Sequence, residues 1–194
     1  MIKTNGQGFP DDINLIATIM QNGGLTIHPT DTLWVASAAL PHAKELDRVP
    51  LRVNNTVPNK VLFVKDIAML KQYIVDLHPR IETLLSYLER PVIILGQPTK
   101  HFPDSLRDQD GKLACSITRD PFCIELIKQS MSPIAGIPLI DSDKVLPLAF
   151  EHIMSHLISA VDYVSTYGRY PMKNVDICPV ITYDKNGNIQ FIRE

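Results

Sequence analysis

The chain has 194 residues, of which 45% are hydrophobic and 21% charged, an ordinary composition for a globular protein with one substantial core. Its 19 lysine and arginine residues against 21 aspartate and glutamate residues give a net charge of −2, which predicts no general attraction to nucleic acid. No apolar run approaches the ~20 residues that span a membrane. The segment 1–10 has no apolar signal region. The three cysteines are widely spaced, which argues against a disulfide framework or a zinc site. We therefore expect a cytoplasmic protein with reduced thiols.

In chain order, the first half of the sequence is predicted to alternate between helices and strands. Ile13, Ile16 and Met20 fall on one face of a helix over 12–22, which Asp11 or Asp12 can cap and Gly23 can end. The elements that follow are a strand over 25–28, a helix over 41–48, an irregular link over 51–58, a strand over 61–64, a helix over 66–74 capped by Asp66, and a helix over 79–88.

The second half continues the alternation and closes with a hairpin. Asp120-Pro121 starts a helix, and Pro138 interrupts a strand over 134–140, which indicates an edge strand or a break. The remaining elements are strands over 92–95, 113–117 and 161–164, a helix over 148–159, and a hairpin of 180–183 with 189–192 around Asn186-Gly187. This order predicts one α/β domain over 1–194 with a mixed sheet.

A polar motif ends the first predicted strand. The sequence Gly23-Gly24-Leu25-Thr26-Ile27-His28 leads into Pro29-Thr30-Asp31-Thr32, and proline cannot donate a ladder hydrogen bond, so we expect regular pairing to stop near Pro29. Two hydroxyls and a carboxylate follow at a strand end, where ligands of α/β proteins commonly bind. The same residues also suit a plain turn or a helix cap.

Several segments, taken in order, resemble the YrdC/YciO family, whose active members make threonylcarbamoyl-adenylate. They are the opening helix with Gly-Gly and Pro-Thr-Asp-Thr, Asn59-Lys60-Val61-Leu62-Phe63-Val64-Lys65-Asp66, the segment 114–121, and the closing strand, turn and hairpin that end in Arg193-Glu194. The resemblance extends over nearly the whole chain. It implies a single YrdC-like domain, with a twisted mixed sheet flanked by helices around a concave pocket.

The resemblance also implies the residues that bind a ligand in that pocket. They are Thr30, Thr32, Trp34 and Lys60, with Ser116 and Arg119 facing them and Arg52 nearby. An active synthase of this family uses ATP, Mg²⁺, bicarbonate and L-threonine. The residues of this chain do not by themselves establish a cofactor or a catalytic group.

The chain departs from the family pattern where polar contacts are expected. Counting back from Lys60, Asn54 and Thr56 replace the Lys-x-Arg pair of active synthases, and Ser116 stands where these have arginine. Pro138 and Ile140 replace the serine and asparagine of the Thr-Ser-Ala-Asn segment. Because a charge-assisted hydrogen bond contributes about 1.5–3 kcal/mol, losing two or three would weaken phosphate binding by several factors of ten.

Three functions are compatible with this pattern, which lies nearer the YciO branch. The first is a protein without synthase activity that binds a small anionic or nucleotide-like ligand and has a role near tRNA or translation. The second is an active synthase that uses the displaced cations Arg48, Arg52 and Arg119. The third is a structural or interaction protein with a vestigial pocket. The resemblance also implies binding to double-stranded RNA. We expect this chain to bind such RNA weakly, because most of its basic residues have acidic neighbours in the sequence.

The histidines and cysteines are predicted to have structural roles. His152 and His156 are four residues apart on a predicted helix, but without a third ligand they indicate surface histidines and no metal site. His28 is expected to hydrogen bond to the backbone. Cys115 and Cys123 are expected to be buried thiols that do not act as nucleophiles.

Overall fold

A computed structural model of the chain describes residues 12–51, 60–100, 102–140, 147, 149–169 and 178–193. Within these residues, nine strands form one mixed sheet. In chain order they are β1 (Thr26–Pro29), β2 (Trp34–Ala39), β3 (Val61–Val64), β4 (Ile93–Gly96), β5 (Leu113–Ile117), β6 (Ile134–Pro138), β7 (Tyr163–Val164), β8 (Val180–Tyr183) and β9 (Ile189–Arg193). Their order in the sheet is β7-β1-β2-β6-β3-β5-β4-β8-β9. The pairs β1–β7, β3–β5 and β4–β8 are parallel, and the other pairs are antiparallel.

The helices of the described residues are short, and several begin at caps that the sequence predicts. Asp66 and Asp120 accept hydrogen bonds from the backbone N–H groups of Met69 and Cys123, and proline opens two helices. The α-helices are α1 (Asp12–Gln21), α2 (Ile67–Leu70), α3 (Pro79–Tyr87), α4 (Pro121–Gln129) and α5 (Ser155–Ile158). The 3₁₀ helices are Leu40–Arg48, Asp104–Leu106 and Phe150–His152. None of these helices is long and apolar enough to cross a membrane.

The pairing register divides the side chains of the sheet between two faces. Paired residues point to the same side, so Ile27, Ala36 and Leu62 share what we call the first face. This face carries the larger core, which Leu46 of the 3₁₀ helix Leu40–Arg48 and residues of α2, α3 and α5 cover. The second face includes Phe63 and Ser116, and α1 and α4 cover one part of it.

The structure confirms most predicted strands and the closing hairpin, and it corrects five points. Strand β2 was not predicted, and Pro29 remains paired with Trp34. Pro138 ends a central strand between β2 and β3, so the edge alternative is wrong. The helix predicted from Asp66 ends at Leu70, and the one predicted over 148–159 is two separate segments, Phe150–His152 and Ser155–Ile158. Most of the predicted link 51–58 lies outside the described residues.

Candidate functional site

The turn between β1 and β2 is held by hydrogen bonds of Thr30. Its hydroxyl donates to the carbonyl of Leu33 at 2.8 Å and accepts from the backbone N–H of Leu33 at 3.2 Å, while its own N–H donates to the same carbonyl at 2.9 Å. The Thr30 side chain is buried. Its hydroxyl therefore closes the turn Thr30–Leu33 and is already satisfied within it.

Asp31 fixes this turn to the segment between β5 and α4. Its carboxylate accepts hydrogen bonds from the Thr118 hydroxyl, from the backbone N–H of Arg119 at 2.6 Å, and from the backbone N–H of Asp120 at 3.0 Å. Strands β2, β6 and β3 separate β1 from β5 in the sheet. The sheet is therefore curved enough to bring the β1–β2 turn over the end of β5.

Thr32 connects the same turn to the start of β8. The thiol of Cys178 donates to the Thr32 hydroxyl at 3.5 Å, and burial raises the pKa of this thiol above its ordinary value. The thiol is consequently protonated at neutral pH and acts as a weak donor. Together, the Asp31 and Thr32 contacts place the turn across the ends of β5 and β8.

The second face of the sheet near this turn is mainly apolar. On the second face, Val61, Ile93, Leu95, Ala114 and Val180 form a buried cluster, with Phe63 and Cys178 packed against it. The hydroxyl of Ser116 lies on the same face, is 3% exposed, and has no hydrogen-bond partner among the described residues. This hydroxyl can donate to or accept from a ligand.

Charges of both signs lie near the turn: the Arg193 guanidinium donates to the Cys178 carbonyl at 2.7 Å, and the carboxylates of Asp31 and Asp120 lie close together. Burial raises the pKa of Asp120, and the nearby Asp31 charge adds to the rise, although the Cys123 backbone N–H donates to the Asp120 carboxylate. The Tyr167 hydroxyl donates to the same carboxylate at 3.5 Å, and burial followed by the Asp120 charge raises the pKa of Tyr167 to about 12. The neighbouring carboxylates of Asp31 and Asp120 disfavour the binding of an anionic ligand next to them.

Two of the expected pocket residues lie toward the first face. Trp34 is completely buried in the larger core, with its ring 6.2 Å from that of Phe150 and its indole N–H without a partner. Lys60 is 7% exposed and forms an ion pair with Asp47 of the 3₁₀ helix Leu40–Arg48. No hydrogen bond or ion pair joins Lys60 to Thr30 within the described residues. The charge of Lys60 is thus already neutralised.

Arg119 contributes its backbone to the turn and directs its side chain elsewhere. The guanidinium donates to the carbonyls of Leu85, at 3.2 Å, and Leu88, so it caps the carboxyl end of α3. Arg48, another candidate cation, forms an ion pair with Glu45 at 3.3 Å. Arg52, Asn54 and Thr56 lie outside the described residues. Among the expected site residues that the structure describes, Thr32 and Ser116 keep free hydrogen-bonding capacity.

Comparison with known families accounts for this curved sheet and its turn. A family model named Sua5_yciO_yrdC and described as telomere recombination matches residues 18–194. The chain belongs to the Sua5/YciO/YrdC family. The family expected from the sequence motifs is confirmed, and so is the twisted mixed α/β sheet flanked by helices.

Several solved structures share this fold at low sequence identity. E. coli YciO superposes with a TM-score of 0.76 at 18% identity, covering 94% of this chain and 88% of that chain. P. abyssi Sua5 in complex with L-threonine gives a TM-score of 0.71 at 16% identity, covering 88% of this chain and 50% of that chain. A phosphate- and nucleotide-bound HypF gives 0.74 at 16% identity, covering 93% of this chain and 28% of that chain. The chain spans about half the length of the Sua5 chains that it matches. A search of curated proteins gives no match.

Two residues that organise the site, Asp31 and Cys178, are absent from the ligand-binding set that the resemblance implies. Asp31 carries the contacts between the turn and β5, and Cys178 carries the contact to β8. The partners of Asp31 and Cys178 are distant from them in the sequence. The sequence therefore contained one indication of the role of Asp31, the position of its carboxylate at a strand end, and none for Cys178. Within the described residues, no group of three histidine, cysteine or acidic side chains could hold a metal ion.

His28 lies beside the turn and is neutral at neutral pH. Its Nδ1–H donates to the Pro29 carbonyl at 3.0 Å, which confirms the expected backbone hydrogen bond, and burial lowers the pKa of His28 to about 4. Cys115 and Cys123 are buried with raised pKa values, as expected for thiols that do not act as nucleophiles.

Proposed function

We propose that this chain is a member of the Sua5/YciO/YrdC family that does not make threonylcarbamoyl-adenylate and that binds a small anionic or nucleotide-like ligand. The observation that carries the proposal is that two cations of the expected site are engaged within the fold. Lys60 is paired with Asp47, and Arg119 caps α3. A triphosphate requires several convergent positive charges, so the described residues do not fit ATP.

In this proposal the ligand is small, has little charge and binds in a recess between the turn Thr30–Leu33 and the second face of the sheet. The Ser116 hydroxyl and the Thr32 hydroxyl offer neutral hydrogen bonds, and the floor of Val61, Ile93 and Val180 offers apolar contact. Arg52 supplies the cation for an anionic group in this proposal. The setting in the cell is proposed to be the cytoplasm, with a role near tRNA or translation.

A vestigial pocket is the second candidate, because the floor of the recess is apolar and buried. Such a pocket would bind none of the family's ligands, and the protein would act as an interaction partner. The two candidates differ in a thermal-shift screen of nucleotides, L-threonine and small anions. A ligand at ~100 times its Kd adds about 2.7 kcal/mol to the stability of the folded state, whereas a vestigial pocket gives no shift with any of them.

We expect no pyrophosphate release from ATP in the presence of Mg²⁺, bicarbonate and L-threonine. The physical reason is that the charges of Lys60 and Arg119 are already used within the fold. The measurement is a coupled pyrophosphate assay on the full chain, with an active synthase as the positive control. Turnover that is abolished by Arg52→Ala and retained in Arg90→Ala would show that a displaced arginine performs the synthase reaction, and the proposal would then be wrong.

We also expect weak binding to an RNA duplex. Binding of a duplex depends on the neutralisation of its phosphates by basic residues. This chain has a net charge of −2, and three of its described cations, Arg48, Lys60 and Lys71, are already in ion pairs. The measurement is an anisotropy titration of a short RNA duplex over a salt series. Sub-micromolar affinity with a log–log salt slope steeper than about −4 would indicate several phosphate contacts and contradict this expectation.

A further inference from the structure

A second cleft lies at the opposite ends of β5 and β8 from the turn Thr30–Leu33. It encloses about 700 Å³ between the α2–α3 connection 75–79, the ends of β4 and β8, and Lys112 before β5. This volume is within the range of about 300–1,000 Å³ that small-molecule sites occupy. The cleft also opens at the carboxyl ends of the parallel pair β4–β8, a common ligand position in α/β sheets.

One wall of the cleft carries a positive charge without a counter-ion. The ammonium of Lys112 is half-buried and donates to the Thr182 hydroxyl at 3.3 Å, and that hydroxyl donates to the Leu95 carbonyl at 3.2 Å. Among the described residues, no carboxylate pairs with Lys112. Because the Thr182 hydroxyl uses one N–H of the ammonium, the others are free for an anionic group in the cleft.

The facing wall carries a negative charge on a strained residue. Asp76 has a φ of 47°, in the left-handed region that costs a non-glycine residue roughly 1–2 kcal/mol. Its exposed carboxylate has no hydrogen bond or ion pair to another described residue. Tyr183 also lines the cleft, and burial raises its pKa above the ordinary value. Strain of this kind is concentrated at ligand sites.

The space between these charges has an apolar side. Val75, Leu77 and Leu95 line the cleft, and Val75 is 39% exposed. His78, Asp184 and Lys185 line it as well; the Asp184 carboxylate already accepts hydrogen bonds from Asn186 and Asn188, and Lys185 is an exposed residue of the β8–β9 turn. The cleft therefore combines groups of both charges with an aliphatic wall. No ion pair joins Lys112 to Asp76 among the described residues.

We propose that this cleft binds a free α-amino acid with a large apolar side chain. The ligand carboxylate accepts hydrogen bonds from Lys112, its ammonium donates to Asp76, and its side chain packs against Val75, Leu77 and Leu95. A zwitterion satisfies both charges at once, whereas a simple anion would leave Asp76 unpaired and a simple amine would leave Lys112 unpaired. The inference is independent of the ligand at the turn Thr30–Leu33, because the two sites lie at opposite ends of β5 and β8.

The test is calorimetric titration of the full chain with L-leucine and L-phenylalanine. The matched ligands are 4-methylpentanoate, which lacks the ammonium, and 3-methylbutylamine, which lacks the carboxylate. We expect the amino acids to bind and each single-charge analogue to bind at least about tenfold more weakly. No binding of either amino acid at millimolar concentration, or equal binding of an analogue or of inorganic phosphate, would overturn the proposal.

Two variants locate the binding. Lys112→Met removes the ammonium and keeps the length of the side chain, and Asp76→Asn removes the charge with a residue that tolerates the left-handed conformation. Each is expected to weaken amino-acid binding at least about tenfold, while Lys65→Met and Asp110→Asn, on exposed residues outside the cleft, stay within about twofold. A melting curve without ligand checks that each variant folds. Binding that survives both cleft variants would place the ligand elsewhere and overturn the proposal.

Discussion

Trp34→Ala is expected to destabilise the protein by about 3–5 kcal/mol, the cost of truncating a buried tryptophan. Trp34 is 0% exposed and packs in the larger core beside Phe150. For a chain of this size, the loss lowers the Tm by roughly 6–20 °C. The measurement is thermal and urea unfolding, with Tyr87→Ala as the control, since Tyr87 is 82% exposed and its truncation should change the stability by less than about 0.5 kcal/mol.

Two further measurements show whether Trp34 is buried in the core or lines a pocket: the stability of Trp34→Phe and the fluorescence of Trp34. Because the indole N–H has no partner, Trp34→Phe loses no hydrogen bond, and we expect a smaller loss of stability than for Trp34→Ala. Trp34 is the one tryptophan in the sequence, so its emission reports on this position alone. We expect blue-shifted emission and weak quenching by acrylamide. Strong quenching that a bound ligand relieves would show that Trp34 lines an accessible pocket.

Asp31→Ala is expected to have the second-largest effect, a loss of about 2–4 kcal/mol in the free energy of unfolding. The substitution removes the acceptor of the Thr118 hydroxyl and of the backbone N–H groups of Arg119 and Asp120. Hydrogen bonds to a charged acceptor contribute about 1.5–3 kcal/mol each, and partial exposure reduces the sum. The Tm should fall by roughly 4–16 °C.

The control for this substitution is Asp110→Ala, which removes an exposed carboxylate far from the turn. Hydrogen exchange gives a local readout: the amides of Arg119 and Asp120 should lose protection in Asp31→Ala before the amides of β3 and β6 do. A Tm equal to that of the unchanged chain, with those two amides still protected, would show that the turn is held by other contacts.

Local chemistry made much of the fold predictable from the sequence. Asp66 and Asp120 were expected at helix starts because a carboxylate can accept from free backbone N–H groups, and both do so. The hairpin around Asn186-Gly187 was predicted because this pair tolerates positive φ, and Gly187 has a φ of 76°. These features depend on residues within a few positions of each other.

Strand β2 shows where local patterns were insufficient. Its sequence Trp34-Val-Ala-Ser-Ala-Ala39 has mostly small residues and no alternation of polar and apolar positions, because the strand is buried on both faces between β1 and β6. Its strand conformation is stabilised by neighbours on both sides that are distant in sequence. For the same reason, the position of Pro138 at the end of a central strand could not be distinguished from an edge strand.

The sequence predicted the family to which the candidate site belongs, but it predicted only some of the side chains that meet there. The order of the motifs identified the family, since each motif reflects a local requirement of the shared fold. Which side chains meet was decided by sheet register and curvature. The register directs Trp34 toward the larger core and Ser116 toward the second face, and the curvature brings Asp31 to Thr118, 87 positions later in the chain. A sequence specifies such contacts only through the packing of the whole sheet, so the tertiary structure alone shows that Lys60 and Arg119 are engaged within the fold.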